Sequence, residues 1–273
     1  MCRWLAYSGS PILIDEVLFK TDHSLIDQSL RASDTSSTTN GDGFGLGWYG
    51  AQDVPGVYKD IRPAWNDTNL QALAAQIESS MFLAHVRATT GSPVQRTNCH
   101  PFNHGEWLFV HNGLINDYEI LRRDLTLAIA PQLFPLISGT TDSELMVLLA
   151  LSFGMDGDVK TGLARMAGMV EQLAETHGVE NALQMTLGIS DGESLYAVRY
   201  STEGNSRSLF HSANRDATME IAPDADRFSR YARAIVSEPL SHLEADWVAV
   251  PEASFLTITR GKISCESFAP IAP

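Results

Sequence analysis

Met1-Cys-Arg-Trp-Leu-Ala-Tyr7 opens the chain, and the reading of this stretch decides the fold. Cysteine is small enough to permit trimming of the methionine. The trimmed chain would begin at Cys2, with a thiol and a free α-amine on one residue. An unperturbed α-amine titrates at about 7.7–8.0 and a thiol at about 8.5. One residue would thus supply a nucleophile and a base poised close to neutrality. Trp4-Leu-Ala-Tyr7 reads as the start of a buried strand, which would hold that terminus still. Cysteine at position two is a weak signal alone, so its meaning depends on the remaining sequence.

The chain's 273 residues suit one large domain or two small ones. Neither linker composition nor an internal repeat divides them, so a single domain over 1–273 is expected. No apolar run approaches a membrane span, and the start lacks a basic region followed by a long apolar stretch. Cys2, Cys99 and Cys265 form neither a disulfide framework nor a zinc pattern. A reduced, cytoplasmic setting is expected, which keeps Cys2 a thiol. Cys99 and Cys265 read as ordinary buried or strand cysteines. The formal charge of −14 argues against nucleic acid and anionic membrane as partners. An acidic protein that binds an anionic small molecule must place its few arginines deliberately, so each Arg in a motif matters.

Residues 2–8 read as a strand, Pro11 to Gln28 as two short helical pieces around Asp22–His23, and Ser33 to Asn40 as a polar loop. Phe44, Leu46 and Trp48 alternate with Gly43, Gly45 and Gly47, a strand with one bare face. Glycine weakens a strand unless a backbone or ligand must come close. The spacing does not match a dinucleotide fingerprint, so this strand is read as passing a tight site. A hairpin is expected near Gly56, then an amphipathic helix from Asp67 to Ser79 and a strand from Met81 to Arg87.

Arg87, with Thr89, Thr90 and Gly91 after it, has the chemistry of a carboxylate clamp. A salt bridge at a sheet edge is the alternative. His100 and His104 are four apart, but Pro101 forbids a continuous helix, so they are not read as a metal pair. Trp107 to His111 reads as a buried strand broken by Asn112-Gly113. Those two residues offer donors that can converge on one oxygen, as an oxyanion hole requires. A plain Asn-Gly turn is the other reading.

Helices are expected from Asp117 to Ala130, capped by Asn116 or Asp117, from the Gly139–Glu144 stretch to Phe153, capped by Thr141 or Asp142, and from Asp158 to His177. Asp142 either stabilises a helix start or receives a substrate ammonium. From Ala182 onward the signal is strands: Met185–Ser190, Leu195–Tyr200, Ser208–His211, Ala234–Ser237, Trp247–Val250, Phe255–Thr259 and Lys262–Ser267. Asp191-Gly192 and Arg260-Gly261 read as hairpin turns. Ser237-Glu-Pro239 ends a strand with a buried-looking polar group.

Taken in order, Cys2, the Asn40–Trp48 strand, His85-Val-Arg87 with Thr89-Thr90, Asn98-Cys-His-Pro101, His111-Asn112-Gly113 and Thr141-Asp142 resemble the class II glutamine amidotransferases, a branch of the N-terminal-nucleophile hydrolases. Ile235-Val-Ser-Glu-Pro-Leu240 and Val250-Pro-Glu252 resemble a narrower group, small stand-alone members like the γ-glutamyl amidohydrolase of ergothioneine biosynthesis. The resemblance covers most of the chain. It implies an α+β fold, a four-layer αββα sandwich of two antiparallel sheets, with Cys2 between the sheets.

It also implies hydrolysis of a γ-glutamyl amide through a Cys2 thioester, with Asn112 and Gly113 holding the oxyanion. Arg87 with Thr89 or Thr90 would bind the α-carboxylate, Asp142 the α-ammonium, and His111 would belong to the substrate-binding set. No metal and no cofactor are expected. The expected partner is a small γ-glutamyl substrate, either free glutamine or a conjugate, including glutathione-related ones. A homodimer, a separate synthase receiving ammonia, and a non-catalytic glutamyl-binding role stay open. Where the glutaminase halves of larger synthases follow the Arg with Trp and a later His, this chain has Arg87-Ala-Thr-Thr-Gly91. The smaller residue would leave room for a leaving group bulkier than ammonia.

Overall fold

Apolar alternation in the strands builds two antiparallel sheets, seen in a computed structural model that describes residues 2–31, 39–89, 91–213, 231–241 and 246–273. The strands are β1 (Arg3–Leu13), β2 (Phe44–Trp48), β3 (Gly56–Asp60), β4 (Glu78–Val86), β5 (Phe102–His104), β6 (Trp107–Ile115), β7 (Leu183–Ser190), β8 (Ser194–Ser201), β9 (Phe210–Ser212), β10 (Arg233–Val236), β11 (Trp247–Ala249), β12 (Ser254–Thr259) and β13 (Lys262–Ser267). The helices are α1 (Asp15–Leu18), α2 (Leu25–Leu30), α3 (Thr68–Ala74), α4 (Tyr118–Leu127), α5 (Asp142–Ser152) and α6 (Val159–His177). Among the described residues one sheet runs β11-β9-β10-β1-β4-β2-β3 and the other β13-β12-β8-β7-β6-β5.

Three separate apolar clusters define the layers. Leu5, Tyr7, Phe44 and Phe82 on the outer face of the first sheet pack with Val17, Leu25 and Leu70 of α1, α2 and α3. Trp4, Ala6 and Leu83 meet Leu108, Val110, Ala197 and Leu256 between the sheets. Phe109, Leu187 and Val198 on the far face of the second sheet pack against Leu121, Leu149 and Val170 of α4, α5 and α6. Each sheet is apolar on both faces, which forces a helical layer outside each one. The expected αββα order is what results.

Several expected boundaries shift where sheet pairing wins. Pro11 to Leu13 are strand rather than helix, and β1 there pairs Ile12 with Ser79 and Leu13 with Glu78. That pairing also ends the helix expected through Ser79 at Ala74. The strand at Trp107 is not broken by Asn112-Gly113: β6 continues to Ile115, with Asn112 opposite Thr186 and Gly113 opposite Met185. No Asn-Gly turn exists there. Asp117 sits at the N-cap of α4 in a left-handed conformation and makes no side-chain cap bond. Of the polar loop expected from Ser33 to Asn40, residues 33–38 lie outside the described residues.

The bare face of β2 is filled by protein, backbone at Gly45 and side chains at Gly47. A Cβ on Gly45 would lie 2.0 Å from the His100 carbonyl oxygen, and one on Gly47 would strike Pro101 and Leu108. The Asn98–Pro101 segment is thereby clamped against the first sheet. Asp191-Gly192 and Arg260-Gly261 do join β7 to β8 and β12 to β13. Among the described residues no helix is long and apolar enough to cross a membrane.

Candidate active site

Cys2 immediately precedes β1, and strand alternation puts it on the same face as Trp4 and Ala6, toward the space between the sheets. Its flank is held on both sides, because β1 pairs with β4 and with β10. Ser237 extends the second pairing: Trp4 N–H donates to Ser237 Oγ and Ser237 N–H to the Trp4 carbonyl, each at 3.0 Å. Arg3 points to the opposite face, where its guanidinium forms a buried ion pair with Glu238 and its Nη1 donates to the Cys2 carbonyl at 3.0 Å.

The half-buried Cys2 directs Sγ–H at the Ala88 carbonyl, 3.5 Å away. Burial pushes its thiol above the ordinary value. The Arg87 cation pulls it partly back and Asp142 pushes it up again. Both charges are therefore within electrostatic reach of the sulfur.

Arg87 follows the last residue of β4, its N–H donating to the Gly43 carbonyl at 2.8 Å. It is 3% exposed, so a salt bridge at a sheet edge does not describe it. Among the described residues the guanidinium's hydrogen-bond partners are neutral oxygens: the Asp42 carbonyl at 3.3 Å, Thr89 Oγ1 at 3.3 Å, Ser92 Oγ at 2.6 Å and the Pro93 carbonyl at 3.3 Å. The Asp42 carboxylate is turned to the Thr89 N–H at 2.8 Å. Thr90 lies outside the described residues.

Asn112 alternates with His111 along β6 and shares the inter-sheet side with Cys2. A short relay links it to the first strand: Trp4 Nε1–H donates to Thr186 Oγ1 at 3.4 Å, and that hydroxyl donates to the Asn112 carbonyl at 3.2 Å. Gly113 has φ +156°, and a Cβ there would lie 1.9 Å from the Gln184 carbonyl oxygen. Only glycine fits. His111 faces the helices instead, its Nδ1 2.8 Å from Ser143 Oγ in α5.

Asp142 begins α5, where Thr141 provides the cap by accepting from Glu144 N–H. Its carboxylate accepts from Ile115 N–H at 2.8 Å and Ser143 N–H at 2.7 Å. It also lines a cleft of about 600 Å³ with Ser92, Pro93, Leu114, Tyr118 and Arg122. Cys2 and Arg87 are not on that cleft's lining. The 91–93 turn, whose Ser92 and Pro93 hold the Arg87 guanidinium, is the wall shared between the two.

Beneath these residues lie three buried imidazoles. The rings of His85 and His100 are 4.2 Å apart, and His85 Nε2 is 3.2 Å from the His111 carbonyl. Burial lowers the pKa of His85 to about 3, that of His100 well below its ordinary value, and that of His111 likewise. All three are neutral near pH 7, so His85 donates its Nε2–H to the His111 carbonyl. Among the described residues no cluster of three or more His, Cys, Asp or Glu could hold a metal ion.

The structure thus places Cys2 and Asn112 on the inter-sheet side, Arg87 and Thr89 just past the end of β4, and Asp142 at the start of α5 bonded to β6 beyond Gly113, with His111 on the far side of β6. Sequence reading did not single out Asp42, Ser92 or Ser143. Ser92 in Gly91-Ser-Pro93 carried a turn signal only, and Asp42 was hidden among glycines.

The family described as Glutamine amidotransferases class-II matches residues 16–271, a span that begins after Cys2. The probable glutamine amidotransferase DUG3 of Saccharomyces cerevisiae is 32% identical over 96% of this chain and 83% of its own length. The gamma-glutamyl-hercynylcysteine sulfoxide hydrolase of Mycolicibacterium smegmatis is 30% identical over 57% of this chain and 65% of its own. Among solved structures, a glutamine aminotransferase class-II domain protein from Silicibacter pomeroyi superposes with a TM-score of 0.75 at 32% identity, covering 98% of this chain and 100% of that one.

Proposed function

Since the chain belongs to the class-II glutamine amidotransferases, enzymes of the N-terminal-nucleophile hydrolase type, we propose that it hydrolyses a γ-glutamyl amide at Cys2 as one domain spanning 1–273. The observation that carries this reading is Arg87. Among the described residues the buried guanidinium is met by neutral oxygens alone, and a buried charge favours an opposite charge beside it. An incoming carboxylate would neutralise it within reach of the Cys2 sulfur. Asp142, also within that reach, suits the ammonium of the same amino-acid head.

In this reading Met1 is removed and the Cys2 α-amine accepts the thiol proton as sulfur attacks the γ-carbonyl carbon. Asn112 and Gly113 donate to the oxyanion, where losing one donor typically costs about 10²–10³ in rate. The amine passes the proton to the leaving nitrogen, the C–N bond breaks, and a γ-glutamyl thioester remains. Water then attacks the thioester, and glutamate leaves as the thiol reforms. Thr89 supports the carboxylate end, and His111 acts through Ser143 to hold the start of α5. The proposed leaving group is larger than ammonia, because the small Ala88 follows Arg87 and its carbonyl lies beside the Cys2 sulfur.

Glutamate release from glutamine and from a panel of γ-glutamyl amides tests the reading. Turnover is expected in the purified protein, and Cys2→Ala should abolish it without lowering the melting temperature. An active protein whose intact mass retains Met1 would overturn the role of the α-amine.

A further inference from the structure

Asn98 belongs to the Asn98-Cys-His-Pro101 segment, for which the proposed reaction has no use. It is fully buried and uses its amide at both ends. Nδ2 donates to the Pro93 carbonyl and to Thr140 Oγ1, each at 3.0 Å. Oδ1 accepts from Thr140 N–H at 2.8 Å and from Gln95 Nε2 at 3.2 Å. The backbone partners fix the amide's orientation, because a carbonyl demands a donor and an N–H demands an acceptor. Pro93 is a partner of the Arg87 guanidinium, and Thr140 lies two residues before Asp142.

One side chain therefore ties the turn that braces Arg87 to the segment that delivers Asp142. The far end of that segment is fixed as well: Glu144 accepts from Ser138 N–H at 2.9 Å and Gly139 N–H at 2.8 Å. Contact with Asn98 is close enough to dictate residue 139, where a Cβ would lie 2.5 Å from Asn98 Oδ1 and 2.9 Å from the Thr97 carbonyl oxygen. We infer that Asn98 is a positioning residue that sets the separation between the Arg87 and Asp142 charges, and so selects ligands carrying carboxylate and ammonium on one carbon. The inference rests on the proposed function, which assigns those two charges to the substrate head.

The test compares ligands with both head charges or one. In a Cys2→Ala background, calorimetry would measure binding of L-glutamate, of glutarate, which lacks the amine, and of 4-aminobutyrate, which lacks the α-carboxylate. Asn98→Ala, which removes the tie and adds no charge, should weaken glutamate by about 10–100-fold, one to two factors of ten in affinity, and each one-charge ligand by less than about threefold.

Gly139→Ala, which pushes the same segment away with Asn98 intact, should reproduce the pattern. With Cys2 present, both variants should raise KM for a γ-glutamyl amide far more than they lower kcat. Unchanged glutamate affinity in both variants, or equal loss for all three ligands, would overturn the inference. A protein that binds no glutamate and turns over no γ-glutamyl amide would instead overturn the functional reading on which it stands.

Discussion

Arg3 and Arg87 approach Cys2 from opposite faces of the same sheet, and their charges are handled differently. Arg3 is neutralised by Glu238 and serves the backbone by holding the Cys2 carbonyl. Arg87 is equally buried but is met by neutral oxygens. Removing one partner of a buried ion pair costs about 3–5 kcal/mol, so Arg3→Met should lower the melting temperature sharply. Arg87→Met should lower it less, because among the described residues it breaks hydrogen bonds to neutral oxygens and no ion pair. The same Arg87 substitution should raise KM by about 10²-fold or more, from the 2–5 kcal/mol typical of a truncated charge pair, with a smaller effect on kcat. Thermal melts and steady-state kinetics on the two variants check both halves. The proposed clamp is suggested locally in sequence, because two hydroxyls and a glycine lie within four residues after Arg87. The Arg3–Glu238 pair could not, since its members stand 235 residues apart.

At the level of elements, α5 shows a helix start that can be read locally. Thr141 caps it by accepting from Glu144 N–H at 3.3 Å, and the cap orients Asp142 at the first position. Thr141→Ala should cost about 1 kcal/mol, a fall of about 2–4 °C for a chain of this size, with a rise in KM as Asp142 loosens. Melting curves paired with kinetics would show it, and an unchanged KM would detach the cap from substrate binding. β6 is the contrary case. Asn-Gly is a strong local turn signal, yet Asn112 and Gly113 stay extended because Thr186 and Met185 of β7 pair with them. The pairing needs a glycine where the Gln184 carbonyl comes close, and that demand arises from a strand about seventy positions later in the sequence. Similarly, Glu78 and Ser79 follow the periodicity of α3 but are recruited by β1. Local chemistry reveals caps and hairpins, whereas strand partners decide where a helix gives way to a sheet.

For the whole molecule, the buried neutral histidines set an acid limit. His85, with a pKa of about 3 in the fold, takes up its proton on unfolding once pH falls below its ordinary value of 6.5, and His100 and His111 shift in the same direction. The unfolded chain then binds more protons than the native one, so stability is full above pH 6.5 and is lost as pH falls toward 3. His85 contributes about 1.4 kcal/mol per pH unit within that window. Melting temperature should fall steadily across it, and His85→Asn should make the slope shallower by one proton. A slope unaltered by that change would place the acid sensitivity elsewhere.

The central position of β1 has a temporal consequence. Both of its neighbours are made later, β4 from residue 78 and β10 from residue 233. During synthesis this strand therefore waits, short of one neighbour, until nearly all of the polypeptide has emerged from the ribosome, and the two halves of the first sheet can close on it only at the end.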